Sequence, residues 1–188
     1  MANFPTYDKT NAPAASVPLL EKTERAFGRL TGLAKAMAGA PGLLDVYQRA
    51  HAAFQATSFN KEELTVVWQA INVEHACHYC VPAHTGIANM MGVDAALTEA
   101  LRTEAPLGDA KLEALRDFTL AMLRQRGLVS EDQLAAFYAA GYGPQQVLEV
   151  ILGLSQKVMS NYVNHVAQTP VDEVFQKYAW EKTAPAAA

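Results

Sequence analysis

Apolar positions recur along this chain with the period of a helix, and the two-residue alternation of a strand is not convincing anywhere. A first helix is predicted over residues 19–38, ending before Gly39. Pro41 suits the first turn of a second helix, where its missing N–H leaves nothing unsatisfied, and Leu44, Tyr47 and Phe54 give that helix an apolar stripe. Asn60 followed by Glu63 has the spacing of a capping box. Behind it Leu64, Val67, Trp68 and Ile71 fall on one face. Another helix should hold most of 79–91 and stop at Gly92, and Asp94 caps a short one through Leu101. Residues 111–126 read as helical with Leu112, Leu115, Phe118 and Met122 inward, and Gly127 ends the run. Ser130 and Gln133 repeat the capping-box pattern. Gly143 and Pro144 open a long helix, with Val147, Ile151, Leu154 and Val158 as its expected buried stripe. The tail carries an aromatic patch at Phe175, Tyr178 and Trp180, and residues 183–188 are expected to fray.

The result is an all-α chain of seven or eight helices. It divides into a flexible N-terminal arm over 1–17 and a single helical domain over 18–182, since the loop near 104–109 is too short to be a linker. The length, 188 residues, suits one domain. Apolar residues make up 51% of the chain and charged ones 18%, enough to bury a sizeable core and to leave apolar surface for a partner subunit. The net charge of -4 and the lack of a basic block argue against nucleic acid. No apolar run reaches the ~18 residues a membrane span requires, and the Pro- and Ala-rich start does not read as an export signal, so a cytoplasmic location is expected.

Two cysteines, Cys77 and Cys80, are the only ones, so a disulfide scaffold is excluded and the close pair reads as redox or metal chemistry. On a helix they are separated by about 4.5 Å of rise, within reach of a reversible disulfide. Pro82 clashes with the carbonyl of His78 in an unbroken helix, so a break is predicted near 74–78, with the pair at a helix start where free N–H groups favour a thiolate. His84 lies one turn beyond Cys80 on the same face, placed to take a thiol proton. Glu74 is the nearest carboxylate to orient that imidazole, with Glu62 and Glu63 as alternatives. A metal site built from Cys77, Cys80, His84 and either His75 or His78 is the rival, but the chain lacks a second pair of ligands from a distant segment. Trp68, Ile71, Tyr79 and Met91 read as core or pocket lining, and His165 as structural.

The run Glu74, Cys77-x-x-Cys80 and His84, preceded by the 64–71 helix and followed by Gly92-Val93, resembles the carboxymuconolactone decarboxylase and alkylhydroperoxidase D superfamily. Asn161-Tyr162, Asn164-His165, Thr169-Pro170 and Asp172 are similar to the closing segment of its peroxidase-related members. The resemblance implies a compact helical fold and a homo-oligomer, a trimer or hexamer. It also implies reduction of hydroperoxides by the cysteine pair without a bound cofactor. By resemblance Cys80 is the peroxidatic cysteine, His84 with Glu74 removes its proton, and Cys77 closes the disulfide on the sulfenic acid. A dithiol, carried by a lipoyl protein or a thioredoxin-like donor, then resets the pair. The pattern departs at Thr65, where alkylhydroperoxidase D proteins carry an essential Glu. The opposite order of attack, Cys77 first, remains open, as do a lyase acting on a small cyclic acid and a metal-binding or redox-sensing helical module. The lyase needs a cation, and the 77–84 neighbourhood has neither Arg nor Lys.

Overall fold

A computed structural model describes residues 4–182, all of whose regular structure is helical. The helices are α1 (Val17–Phe27), α2 (Gly32–Met37), α3 (Pro41–Gln55), α4 (Lys61–Glu74), α5 (Cys80–Met90), α6 (Ala95–Arg102), α7 (Ala110–Arg124), α8 (Glu131–Ala139) and α9 (Pro144–Ala167). Short 3-10 helices cover Ala14–Ser16 and Glu173–Tyr178. Positions 1–3 of the arm and the tail at 183–188 lie outside the described residues.

The expected first helix is two. Gly28 closes α1 in the left-handed conformation (φ 68°), and Thr31 caps α2 by accepting from the Ala34 N–H, so the chain turns where its apolar pattern continues. Both capping boxes are formed as read, at Asn60/Glu63 and at Ser130/Gln133. Within the arm, Tyr7 donates its N–H to the Lys35 carbonyl and the buried Ser16 hydroxyl donates to the Ala38 carbonyl.

The centre is α4, almost wholly buried, with α5, α6, α7 and α9 around it and Phe54 of α3 against its Trp68. One apolar cluster gathers Phe54, Trp68, Ile71, Leu115, Phe118 and Phe137. A second brings α1–α3 against the Cys77–Ala83 turn. Helix α9 departs most from expectation. Its predicted stripe is not its buried face: Ile151 is exposed, and Val147, Leu154 and Val158 are half-buried. The buried face is Val150, Gly153, Gln156, Lys157, Ser160, Asn161 and Asn164. Leu148, Tyr162 and Val166 stand outside. Several of the buried polar atoms find partners: Gln156 Oε1 accepts from Trp68 Nε1 at 3.0 Å, and Asn161 Nδ2 donates to Asn72 Oδ1 at 3.0 Å, while Gln156 Nε2 and Asn164 Oδ1 are left without one.

Gly153 is the point of closest approach on this face. A Cβ there would lie 2.6 Å from the Phe54 ring and 3.0 Å from Val67 Cγ1. The absence of a side chain lets α9 sit against α3 and α4. After α9, residues 169–182 run across α5. Asp172 accepts from Tyr79 Oη at 2.6 Å and from the Gly32 N–H at 3.0 Å, Asn89 Nδ2 donates to Tyr178 Oη, and Trp180 Nε1 donates to the Arg102 carbonyl. Among the described residues no helix is long and apolar enough to cross a membrane.

Candidate functional site

The break before the cysteines has a local cause. His75 ends α4, Ala76 takes a left-handed conformation (φ 50°), and the N–H groups of Ala76 and Cys77 bond back to Val73 and Asn72 at 2.9 Å each. This is a Schellman-type stop, built without glycine. The chain reverses through 77–79 and α5 begins at Cys80, with Pro82 in its first turn. Cys80 is therefore the first residue of a helix, as the proline required.

Both cysteines are reduced and buried. The Cys80 N–H points at Cys77 Sγ, 3.3 Å away, and Asn164 Nδ2 donates to Cys80 Sγ at 3.3 Å. Burial alone would raise the Cys80 pKa. Against it act a hydrogen bond from the Cys77 thiol, the charge of Lys157, and the Asn164 and Asn161 amides, and together they hold Cys80 below the ordinary thiol range. The same contact raises Cys77, whose proton is shared toward its neighbour, and burial raises it further. The pair is thus asymmetric, one sulfur held as thiolate and the other as thiol.

Lys157 is the residue the sequence concealed. It comes from α9, is fully buried, and places Nζ 3.0 Å from His84 Nε2. Burial lowers its pKa, while the nearby Cys80 and Cys77 sulfurs oppose the fall. His84 is held far below the usual imidazole range, first by burial, then by Lys157 and His51. His51 is lowered to about 4 by burial and by Lys157. Both rings are neutral near pH 7. An ammonium donating to Nε2 puts the His84 proton on Nδ1, an atom buried without a protein partner.

Cys80, His84, His51 and Lys157 line one cavity of about 210 Å³. Its remaining walls are mainly apolar, among them Leu33, Leu44, Tyr47 and Phe175. No carboxylate lines it, and Cys77 contributes nothing to its wall. Phe175 packs against Gly86 of α5, where a Cβ would lie 2.5 Å from the ring, so the 173–178 segment closes over this side of the site.

Of the four residues singled out from sequence, Cys77, Cys80 and His84 come together, and the group bonded to the imidazole is Lys157, which lines the same cavity as Cys80. Glu74 does not join them. Both its oxygens are held by Arg124 of α7 at 2.7 Å, near the surface, and that guanidinium lowers its pKa. Glu63 is occupied by its own cap, by Lys111 and by Tyr142. Glu62 is an ion-pair partner of Lys61. Thr65 bonds the Lys61 carbonyl. Among the described residues the group bonded to His84 is thus not a carboxylate but the Lys157 amine. The proposed metal ligands are also dispersed. His75 Nδ1 lies 2.8 Å from Asn161 Oδ1, His78 donates to the Thr169 carbonyl, and no group of three potential ligands forms among the described residues. Trp68, Ile71 and Tyr79 are buried, with Tyr79 also on the cavity wall. His165 is half-buried and lies close enough to His75, His78 and Cys80 to feel their charges. The signal that could have found Lys157 is its register: it shares a helical face with Gly153, Ser160 and Asn164.

Comparison with known proteins supplies a fold. No protein-family model matches the sequence, and no curated protein matches it at significant similarity. Solved structures do match. A peroxidase-related protein with an alkylhydroperoxidase AhpD core, from Ralstonia eutropha JMP134, superposes with a TM-score of 0.81 at 16% identity, over 92% of this chain and 93% of that one. A peroxidase-related protein from Silicibacter sp. TM1040 gives 0.77 at 19% identity, over 92% of each chain. The debrominase Bmp8, as a single-residue variant in complex with 2,3,4-tribromopyrrole, gives 0.75 at 14% identity, over 94% of this chain and 95% of that one. The chain has the all-α AhpD-like fold that these proteins share.

Proposed function

We propose that this protein is a thiol-dependent oxidoreductase that reduces organic hydroperoxides through Cys80 and Cys77. The observation that carries the reading is the asymmetry of the pair: the sulfur that reaches the cavity is also the one kept as thiolate. The Cys80 thiolate attacks the distal peroxide oxygen, the O–O bond breaks, and an alcohol leaves once its oxygen is protonated. Cys80 becomes a sulfenic acid. Cys77 attacks that sulfur, hydroxide leaves as water with the Cys77 proton, and a disulfide remains. Two electrons have passed from two thiols to the peroxide. A dithiol restores the pair by exchange. Since both sulfurs are buried, the donor thiol must reach them through the cavity, which suits a lipoyl group on a slender arm better than the face of a thioredoxin-like protein.

The mostly apolar wall suits a hydroperoxide with a hydrocarbon body over hydrogen peroxide. The same wall and the debrominase likeness support a second reading with the same electron count. The Cys80 thiolate takes the halogen of a haloaromatic, the ring carbon takes a proton, and Cys77 displaces halide to form the disulfide. The lyase reading regains the cation it lacked, in Lys157, but gives no role to the paired thiols.

The test is consumption of cumene hydroperoxide under dithiothreitol and under a lipoyl donor, beside a bromopyrrole as alternative oxidant. Cys80→Ser should abolish turnover of whichever substrate is used, and Cys77→Ser, reduced and then freed of external thiol, should consume one equivalent without forming a disulfide. Full activity in Cys80→Ser would refute the thiol mechanism, and activity with both cysteines replaced would favour the lyase.

A further inference from the structure

Among the described residues no carboxylate lies on the cavity of Lys157 to balance it. The titratable groups facing it are Cys77, Cys80 and His84 from the turn into α5 and from α5, Tyr47 and His51 from α3, and, on the same cavity, Tyr79 and the exposed Lys22 of α1. Helix α4 presents uncharged Trp68, Gln69 and Asn72 near the site, and α2 presents Leu33 and Ala34. Among the described residues the one anion on this buried cation's cavity is therefore the Cys80 thiolate. That anion vanishes when Cys80 forms a disulfide, and an unpaired buried ammonium is then strongly disfavoured.

We propose that Lys157 is a catalytic proton carrier whose charge follows the redox state of the cysteine pair: ammonium while Cys80 is thiolate, neutral amine once the disulfide is closed. The inference rests on the thiol reading above and adds the source of the proton. The reduced site holds Cys80 thiolate, Lys157 ammonium and Cys77 thiol. On attack, Lys157 gives a proton to the departing alkoxide, which leaves as alcohol, and becomes an amine. Cys77 then closes the disulfide and its proton departs with hydroxide as water. Five protons enter, counting three on Lys157, one on Cys77 and one on the hydroperoxide; five remain, two on the amine, one on the alcohol and two on water. Charge is zero at both ends. When a dithiol reduces the disulfide, Lys157 takes the Cys80 proton and the ion pair forms again. His84, donating to or accepting from Nζ in turn, is the positioning residue that keeps the amine in place.

Arginine separates charge from proton transfer, because a guanidinium does not give up its proton in a protein. Lys157→Arg should keep the thiolate absorbance of Cys80 near 240 nm at pH 7, yet lose on the order of 100-fold in hydroperoxide turnover. Lys157→Met should lose both. A second measurement needs no hydroperoxide. The disulfide is formed with diamide, reduced with dithiothreitol at pH 7, and protons are counted with an indicator dye in weak buffer. The wild-type protein should release none, because the Cys80 proton stays on Lys157, and Lys157→Arg should release one. Release of one proton by the wild type, or full turnover by Lys157→Arg, would overturn the proposal. A wild-type protein that releases none but ignores hydroperoxides would leave the charge coupling standing and refute the peroxidase reading instead.

Discussion

Replacing Gly153 by alanine tests whether the approach of α9 to α3 and α4 sets the site. In isolation the change helps, since alanine is better than glycine in a helix interior by roughly 1 kcal/mol. Here the new Cβ would meet Phe54 Cε2 at 2.6 Å, Phe54 Cζ at 2.8 Å and Val67 Cγ1 at 3.0 Å. Carbon atoms prefer about 3.5–4.0 Å, so a gap near 1 Å must open. The Phe54 ring is fully buried, with Trp68 at 5.3 Å and Phe59 at 6.1 Å between centroids, and has little room to retreat. Overpacking of this kind costs about 1–3 kcal/mol. After the helix gain is set against it, the expected net loss is about 0–2 kcal/mol, or a fall in Tm of up to about 8 °C for a chain of this length. Lys157 lies one turn further along the same face, so α9 moving outward also draws Nζ away from His84 and Cys80. Thermal and urea unfolding measure the first effect, and the 240 nm titration of Cys80 the second, which should shift upward. Gly42→Ala, in the first turn of α3 with nothing within 4 Å of the added carbon, is the control and should stabilise slightly. A Gly153→Ala protein as stable as the control would refute the reasoning.

Glu74→Gln should leave turnover unchanged and cost at most about 1 kcal/mol, the value of a surface ion pair, measured by urea unfolding. The pH dependence of that pair has a definite sign. Its folded pKa lies below the unfolded one, so its contribution is complete above the ordinary glutamate range and is lost as pH falls through the folded pKa; acid unfolding of wild type and Glu74→Gln should converge there. Alkylation by iodoacetamide at Cys80 should have its midpoint below the ordinary thiol range and fall away only on further acidification, whereas Cys77 should stay unreactive to well above it. Mass mapping of the alkylated peptide against pH checks the order.

Much of this is legible in the chain. Asn60 with Glu63 and Ser130 with Gln133 announce their helices because a cap is a contact over three residues, and Pro82 dictates the break before Cys80 because its clash is with a carbonyl four residues away. What escapes the sequence involves distance or inversion. Gly28 and Thr31 split a helix whose apolar pattern runs on without interruption. Glu74 reads as the carboxylate that orients His84, but its actual partner Arg124 is 50 residues further on. Helix α9 invites reading by its apolar stripe, as most amphipathic helices do, and this one turns its polar residues inward to bond Trp68, Asn72 and Cys80. A lone lysine in such a helix reads as solvated unless its register with Gly153, Ser160 and Asn164 is noticed.

The reactive centre is divided between two stretches of chain, the 77–84 turn and the inner face of α9, and neither half does anything unusual alone. Before α9 docks, the two thiols have no ammonium or amide beside them and hold their protons at neutral pH like any free cysteine. Nucleophilicity is thus withheld from a nascent or unfolded chain and granted only to the finished one. Under oxidising stress a chain still being made would present thiols of ordinary cysteine reactivity, and the faster chemistry would begin only when the last long helix has closed over them.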